Sequence, residues 1–359
     1  MLIRSNPRLS RNRRNVEMLA LCAVFMALAA GLVSCTKEQA FLPEQETLAP
    51  EVPGHTKAAP VPNQMLVSGL HGTVGSTVGP DGYLYVTEGL TGEITRIDPT
   101  TGDFSTYASG LPTLDPAIGL GGPVDVVFRN GTAYALVILV AADVGGSDTV
   151  GIYRIDGPSS HTVIADIGTF NMNNPPSTDF FIPTGVPYAI EDYRNGFLVT
   201  DGHLNRVLYI TPDDEITILR SFDNIVPTGL ALSGNVIYVA ESGPTPHYPE
   251  NGKLVSFLPT SPKTKEVASG APLLVDVEIG FPHKVYALSQ GVWNGVNPGD
   301  PADPNTGSLV RVHHDGTFTT ISEGLNLPTS LEFIGNTAYI VNLLGEVWTV
   351  ENIESTYPK

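Results

Sequence analysis

Oxygen-bearing side chains recur at one position of a strand-like segment that is repeated along this sequence. The segment contains a triplet of aliphatic and aromatic residues and occurs six times. In chain order, the residue two places after the triplet is Glu, Val, Asp, Glu, Ser and Asn. Hard divalent cations prefer carboxylate and amide oxygens, and calcium accepts them in flexible geometries. If the segments converge in space, four of these residues predict a calcium site: Glu88, Asp201, Glu241 and Asn342.

A second set of aligned residues lies at the start of the strand that precedes each triplet. The aligned residues are Gly75, Asp125, Ala189, Gly229, Asp276 and Ser330. We expect the two aspartates of this set to lie beside the first set, at the mouth of one central channel. Close carboxylates repel one another, so the alternative to a bound cation is a hydrated polar channel whose carboxylates bond to backbone and water.

Three other residues are candidates for a functional site. Asp201 or His203 could act as a general base, and His203 could also ligate a metal; the alternative for His203 is an ordinary exposed histidine. Tyr248 and Trp293 lie in long loops, where aromatic rings often anchor a sugar or a peptide but also occur without a ligand. The sequence has no Gly-x-Ser-x-Gly elbow, Cys-x-x-Cys pair, His-Glu-x-x-His helix or phosphate-binding loop. This lack of catalytic motifs favours a non-catalytic role.

The elements that position these residues are short strands separated by Gly, Pro, Asp and Asn turns. In residues 72–111, a first strand at 72–78 is followed by β-branched and aromatic runs at 84–86, 93–97 and 104–108. The second strand of this unit recurs six times, centred on Tyr85, Tyr134, Leu198, Tyr238, Tyr286 and Tyr339. Such four-stranded units cannot bury both faces alone, so radial stacking predicts an all-β, six-bladed β-propeller.

The N-terminal strand is predicted to close this ring. The sixth unit ends at Val350 with no room for a fourth strand of its own. Residues 64–70, QMLVSGL, look like residues 106–111, TYASGL, in the fourth strand of the first unit. The last blade would then be completed by the beginning of the domain.

Insertions fall on two types of connection. Those from second to third strands are long at 138–150, 242–251 and 290–306, and those between blades are long at 111–122 and 167–185. In a propeller both types leave the same face, and loops on a rigid scaffold carry function more often than the scaffold does. This loop-rich face is the predicted working surface, with neutral drift in loop length as the alternative.

The N-terminus is typical of an exported lipoprotein. Five Arg precede an apolar run at 18–33, and Leu32, Val33, Ser34 and Cys35 resemble a lipobox. Residues 1–34 are therefore predicted to be a lipoprotein signal peptide, cleaved before a lipidated Cys35; the alternative is an ordinary secretory signal or a short anchor helix. Residues 35–60, with four Pro and several Glu, predict a lipid-anchored tether, and residues 61–359 the propeller.

The net charge limits which partners the chain can bind, and the cysteine content limits how the fold can be stabilised. Without residues 1–34 the chain keeps 14 Lys and Arg against 36 Asp and Glu, a net charge of −22, which repels nucleic acid. Cys22 lies within the signal, so Cys35 would be the only thiol and stability must come from the core without a disulfide. We expect a monomer of the bacterial cell envelope, held on a lipid bilayer through Cys35 on the periplasmic or the outer-membrane side.

Three segments resemble the ScyD/ScyE family of exported bacterial propellers: PDGYLYVTE at 80–88, GPVDVVF at 122–128 and VPTGLAL at 226–232. The resemblance covers residues 64–353, and wider similarity is to NHL-type, strictosidine-synthase-like and gluconolactonase-like propellers. It implies a fold and an exported location, and gluconolactonase-like enzymes hold a metal at a comparable channel position. Val186 stands where an Asn is usual, so no role of that Asn is carried over.

Two functions remain open from the sequence. The first is a non-catalytic module that binds a small molecule, a glycan or a protein on the loop-rich face. The alternative is a calcium-dependent lactonase or hydrolase with its site at the channel mouth. Propellers support both kinds of function, so the fold cannot choose between them.

Overall fold

The computed structural model describes residues 59–353. The predicted signal peptide, the lipidation site Cys35 and nearly all of the tether lie outside these residues. Within the described part of the chain, no helix is long and apolar enough to cross a membrane.

Six antiparallel sheets of four strands are arranged as the blades of a six-bladed β-propeller, as predicted. The chain enters with β1 (Asn63–Val67). Blade 1 has β2 (Thr73–Val78), β3 (Leu84–Glu88), β4 (Glu93–Ile97) and β5 (Phe104–Ala108); blade 2 has β6 (Gly122–Arg129), β7 (Thr132–Ile138), β8 (Gly151–Gly157) and β9 (Ser160–Asp166); blade 3 has β10 (Pro187–Tyr193), β11 (Gly196–Asp201), β12 (Arg206–Ile210) and β13 (Ile216–Ser221).

The remaining blades follow the same order. Blade 4 has β14 (Pro227–Ser233), β15 (Val236–Glu241), β16 (Lys253–Phe257) and β17 (Thr264–Ser269); blade 5 has β18 (Leu274–Gly280), β19 (Lys284–Ser289), β20 (Gly307–Val312) and β21 (Phe318–Leu325); blade 6 has β22 (Pro328–Ile334), β23 (Thr337–Asn342) and β24 (Val347–Val350). The fourth strand of blade 6 is β1, so the predicted closure of the ring by the N-terminal strand is confirmed.

Local sequence explains the hairpins. Asn130 and Gly131, between β6 and β7, both have positive φ, 51° and 80°, as a two-residue type I′ turn requires. Burial then sets strand composition: β3, LYVTE, is buried along its length, whereas most of β5, FSTYA, is exposed. The core therefore lies between blades, against their inner strands.

The closing strand is held on both sides. Met65 of β1 pairs with Trp348 of β24 in an antiparallel register that also aligns Asn63 with Val350. The backbone N–H of Leu70 donates to the carbonyl of Gly345 at 3.1 Å. Because β1 continues directly into blade 1, these bonds join the two ends of the ring.

The long connections contain little regular structure. The connection after β9 begins with a short helix, α1 (Ile167–Asn173), which the sequence analysis did not predict. Asp166 caps it, since its Oδ1 accepts a 2.8 Å hydrogen bond from the backbone N–H of Thr169. Single 3-10 turns occur at Ala142–Val144 and Pro249–Asn251.

Candidate functional site

The first strands of the blades surround a narrow central cavity that leaves about 30 Å³ for the centres of water molecules. Its wall includes five of the six residues aligned at the start of the first strands: Gly75, Asp125, Ala189, Asp276 and Ser330. One water needs roughly 10–15 Å³ on this measure, so the space holds about two waters. A sugar-sized substrate does not fit inside it.

Asp125 links two blades. Its Oδ1 accepts a 2.9 Å hydrogen bond from the backbone N–H of Val126, and its Oδ2 accepts a 2.8 Å bond from the N–H of Ile190 in the next blade. Asp276 makes the same contacts in blade 5, at 2.8 Å within its own strand and at 2.7 Å to β22. Both predicted channel aspartates thus serve as bridges between first strands.

The blade before each aspartate contributes a glycine that leaves room for the carboxylate. A Cβ on Gly75 would lie 2.5 Å from Oδ1 of Asp125, and one on Gly229 would lie 2.1 Å from Oδ1 of Asp276. These glycines are required by the close approach of the next blade.

Three glutamates on the same wall were not predicted from the sequence: Glu191, Glu278 and Glu332. Each lies two residues beyond the aligned first-strand position of its blade. Side chains two apart on a strand share a face, so these glutamates point to the same cavity as the aligned residues. An acidic residue at that spacing in three first strands was a usable signal.

All five charged side chains on the cavity wall are acidic. Burial raises the pKa of Glu191 to about 8, with the charge of Asp276 adding to the rise, and burial raises the pKa of Asp276 to about 7. The pKa values of Asp125, Glu278 and Glu332 lie well above their usual range, first because of burial and then because of neighbouring carboxylates. Near pH 7 this cluster therefore retains protons.

None of the four predicted calcium ligands lines the cavity. They end the second strands of blades 1, 3, 4 and 6, one strand farther from the axis than the wall. Their role as calcium ligands stays a prediction. Their actual surroundings differ from blade to blade.

In blade 1, Glu88 is bound by the segment that enters the blade. Its Oε2 accepts a 2.7 Å hydrogen bond from the backbone N–H of His71 and lies 3.2 Å from His71 Nδ1. Its Oε1 accepts a hydrogen bond from the hydroxyl of Thr95. The carboxylate is 3% exposed, and these partners compensate for its lost hydration.

Asp201 is the centre of a buried polar network in blade 3. Its Oδ1 accepts hydrogen bonds from the backbone N–H groups of Val186 at 3.1 Å and Leu204 at 3.0 Å, and its Oδ2 accepts one from Asn171 Nδ2 at 2.8 Å. Asn171 Oδ1 accepts a 2.6 Å bond from the buried Arg206 guanidinium. Burial raises the pKa of Asp201, while the backbone bonds and Arg206 oppose that rise. The network fastens α1 and the following loop to blade 3.

His203 fastens the same loop. Its Nε2 accepts hydrogen bonds from the backbone N–H groups of Phe181 at 2.9 Å and Ile182 at 3.0 Å, and the Phe181 ring packs edge-on at 4.3 Å. Burial lowers the pKa of His203 to about 4. The lone pair that a general base or a metal ligand would use is therefore occupied in this conformation.

Glu241 and Asn342 are the remaining second-strand ends. Glu241 is 4% exposed, and burial raises its pKa to about 8 although Lys253, opposite it in the sheet, lowers it. Asn342 caps a turn: its Oδ1 accepts from the N–H groups of Leu344 and Glu346 at 3.0 Å each, and its Nδ2 donates to Glu346 Oε2 at 2.7 Å.

These four residues do not form a preassembled metal centre. Across residues 59–353, no three His, Cys, Asp or Glu side chains are arranged to hold a metal ion. Glu88, Asp201 and Asn342 bond to protein partners instead, in their own blades or in the connections that adjoin them. Calcium binding by these residues would require their present hydrogen bonds to rearrange.

The two predicted loop aromatics differ from each other. Trp293 is half-buried within its own loop, where its Nε1 donates a 2.8 Å hydrogen bond to the carbonyl of Asp300 and its ring packs on His247 at 5.4 Å. Tyr248 is 54% exposed. Trp293 therefore supports the loops, and Tyr248 is the ring that is available to a ligand.

Exposed large apolar side chains are concentrated on the loop-rich face. Of fourteen in the described residues, two lie in turns on the opposite face, Leu258 and Phe281, and four on outer strands, Met65, Phe104, Val163 and Ile218. The other eight lie in connections of the loop-rich face: Leu90, Met172, Phe180, Phe181, Tyr248, Val292, Val296 and Leu344.

Comparisons with known proteins show the fold and no more. No family model matches this chain, and no curated protein matches it. A gluconolactonase from Xanthomonas campestris superimposes with a TM-score of 0.56 at 11% identity, over 80% of this chain and 88% of that one. An oxidoreductase of the glucose dehydrogenase type from Thermus thermophilus gives 0.53 at 14% identity, over 80% and 99%, and the PQQ-bound aldose sugar dehydrogenase of Streptomyces coelicolor gives 0.52 at 13%, over 84% and 96%. The chain is similar to these proteins as a six-bladed propeller, and at such identities the likeness does not extend to their activities.

Proposed function

We propose that this chain is an exported, lipid-anchored β-propeller of the ScyD/ScyE type that binds a small molecule, a glycan or a protein on its loop-rich face, without catalysis. The observation that supports this proposal is the uneven distribution of exposed apolar side chains, eight on the loop-rich face against two on the opposite one. These side chains lie on the face from which the long loops also emerge, so they are available to contact a ligand there.

The loops on this face are also built to hold their shape. Asp201, His203 and Trp293 each fasten a long connection by hydrogen bonds, of which the Asp201 bond is buried. Rigid loops lose less entropy when a ligand binds, so a pre-formed surface of this kind gains affinity. The acidic balance of the chain favours a neutral or basic ligand over an anionic one.

The binding test compares the two faces. Tyr248→Ala and Val296→Ser alter the loop-rich face, and Leu258→Ser is the matched control on the opposite face. Full-length protein in detergent is screened against a glycan panel and chemically crosslinked in envelope membranes. We expect the first two variants to weaken binding about ten-fold, the usual scale for an aromatic or apolar anchor. A ligand that is lost with Leu258→Ser and kept with Tyr248→Ala would refute the proposal.

The lipid anchor is tested separately, because Cys35 lies outside the described residues. Cys35→Ser should release the protein from membranes in cell fractionation and leave the melting curve of the propeller unchanged. A variant that still sediments with membranes would exclude lipidation of Cys35 as the anchor.

A calcium-dependent lactonase or hydrolase is the second candidate, and the acid-lined cavity is the observation that favours it. Its substrate would have to bind at the cavity mouth, because the interior holds only about two waters. A cation bound to the folded state stabilises it by mass action, so calcium should raise the melting temperature and a chelator should lower it. Glu191→Gln locates that response in the cavity, and Asp201→Asn and Glu241→Gln locate it at the second-strand ends. A melting curve unchanged by calcium would remove this candidate.

A further inference from the structure

A crevice of about 300 Å³ lies beside the ring closure and shares no lining residue with the central cavity. Residues 69–71, which connect β1 to β2, form one side, and β3, β4 and β5 of blade 1 form the other. Small-molecule pockets begin at roughly this volume. None of the eight apolar side chains of the loop-rich face lines it.

A histidine in this crevice is held in one orientation by a buried carboxylate. His71 Nδ1 lies 3.2 Å from Oε2 of Glu88, which also accepts the His71 backbone N–H at 2.7 Å. In a neutral imidazole whose Nδ1 faces a carboxylate oxygen, Nδ1 is the donor and Nε2 on the other side of the ring is the acceptor. The His71 side chain is 62% exposed, which leaves Nε2 accessible to a ligand.

The other lining groups suit a ligand with several hydroxyls. Phe104 is 52% exposed on β5 and offers an apolar ring on the same face of the strand as Thr106. Glu93, half-buried at the start of β4, adds carboxylate acceptors. A ring that stacks on the apolar face of a ligand, together with acceptors for its hydroxyls, is a combination that binds polyols.

We propose that this crevice is a binding site for a neutral monosaccharide or similar polyol, with Phe104 stacking on the sugar ring and with His71 Nε2 and Glu93 accepting from its hydroxyls. Anions are disfavoured by the two carboxylates. A metal ion is disfavoured because no three His, Cys, Asp or Glu side chains in the described residues are arranged to hold one.

The test uses full-length protein in a detergent without a sugar headgroup. Saturation-transfer NMR with D-glucose, D-galactose, D-mannose and sorbitol identifies a binder, and calorimetry gives its Kd. Phe104→Ala and His71→Ala should each weaken binding at least about ten-fold, since aromatic and buried polar anchors dominate affinity. Val163→Ala, an exposed apolar residue on the fourth strand of blade 2, is the matched control and should leave Kd unchanged. Unchanged melting curves establish that the variants are folded.

The remaining outcomes each count against the site. Absence of saturation transfer from all four polyols, or an equal loss with Val163→Ala, would overturn it. If the Kd rises with salt concentration and Glu93→Gln abolishes binding, the ligand is an organic cation instead. Salt screens an interaction between charges and has little effect on neutral contacts. Binding that is lost with Tyr248→Ala and kept with Phe104→Ala would place the sugar on the loop-rich face, which supports the proposed function and refutes this site.

Discussion

The central cavity and the second-strand ends contain the same kinds of residue in very different surroundings. In the cavity, Glu191, Glu278 and Glu332 come from three blades and share one wall with two aspartates. At the second-strand ends, Glu88 and Asn342 are each satisfied by hydrogen-bond partners in their own blade or in the segment that enters it. Carboxylates of the first group repel one another, whereas members of the second group belong to separate blades.

The difference follows from radius. First strands of all six blades meet around the axis, so side chains at one register position face each other. Second strands lie one strand outward, where each neighbour is a strand or loop of the same or the adjacent blade. A repeated residue type therefore predicts a shared site only when its strand is the innermost one.

The largest effect is expected from opening the ring. Deleting residues 62–70 removes β1 and leaves β24 as an exposed edge, which favours aggregation. The contacts around the central cavity should be lost first. There the hydroxyls of Ser330 and Ser76 lie 2.8 Å apart and join blades 6 and 1. Hydrogen exchange should show faster exchange at Ser76 and Leu331 than at Leu204 in blade 3. An unchanged melting temperature would contradict closure by β1.

The next effect is expected from filling the space beside a cavity aspartate. In Gly229→Ala the new Cβ would meet the Asp276 Cα at 2.6 Å, so a backbone shift is required, at a cost of about 1–3 kcal/mol. In the control Gly157→Ala the nearest atom is the Ser160 hydroxyl at 3.0 Å, which can move. Urea denaturation measures both. Equal free energies of unfolding for the two variants would argue against tight blade packing at this point.

The cavity carboxylates should make the protein more stable at pH 5 than at pH 8. The pKa of Glu191 is raised from 4.5 to about 8 and that of Asp276 from 3.8 to about 7, so the folded state binds more protons in these ranges. Stability therefore falls as pH rises through them, by at most about 1.4 kcal/mol per pH unit for each proton, and the loss is complete above the folded pKa. Melting temperatures at pH 5, 6.5 and 8 measure the slope.

A variant assigns this slope to the cavity. Glu191→Gln cannot ionise, so it should flatten the pH dependence and be most stabilising at pH 8. Glu250→Gln, which alters an exposed carboxyl, is the control and should keep the wild-type slope. If Glu191→Gln retains that slope, the protonated cluster is incorrect.

The sequence predicted the fold well and the site only in part, for physical reasons. Strand propensity, turn residues and the repeat are local signals, and they were enough for six blades and for closure by β1. The radius of a residue is a tertiary property: Glu241 and Asp276 look alike in sequence, yet only Asp276 reaches the cavity. Glu191 could have been found from the two-residue strand period, whereas the bonds between Asp201, Asn171 and Arg206 depend on α1 and a long loop with no regular pattern.

The smallest effect, and the sharpest comparison of the two regions, is a difference in coupling. Glu191→Gln and Glu278→Gln each relieve the same repulsion, so at pH 8 the double variant should gain less stability than the two single changes together, by about 0.5–3 kcal/mol. Glu241→Gln and Asn342→Ala lie in blades 4 and 6, and their effects should add within about 0.5 kcal/mol. Urea denaturation of each double-mutant cycle, with and without calcium, gives both coupling energies. If Glu241 and Asn342 become coupled only when calcium is present, these residues share a cation and the predicted ligand set is recovered. If their effects stay additive while Glu191 and Glu278 are coupled, the acidic groups of this propeller interact only around its axis.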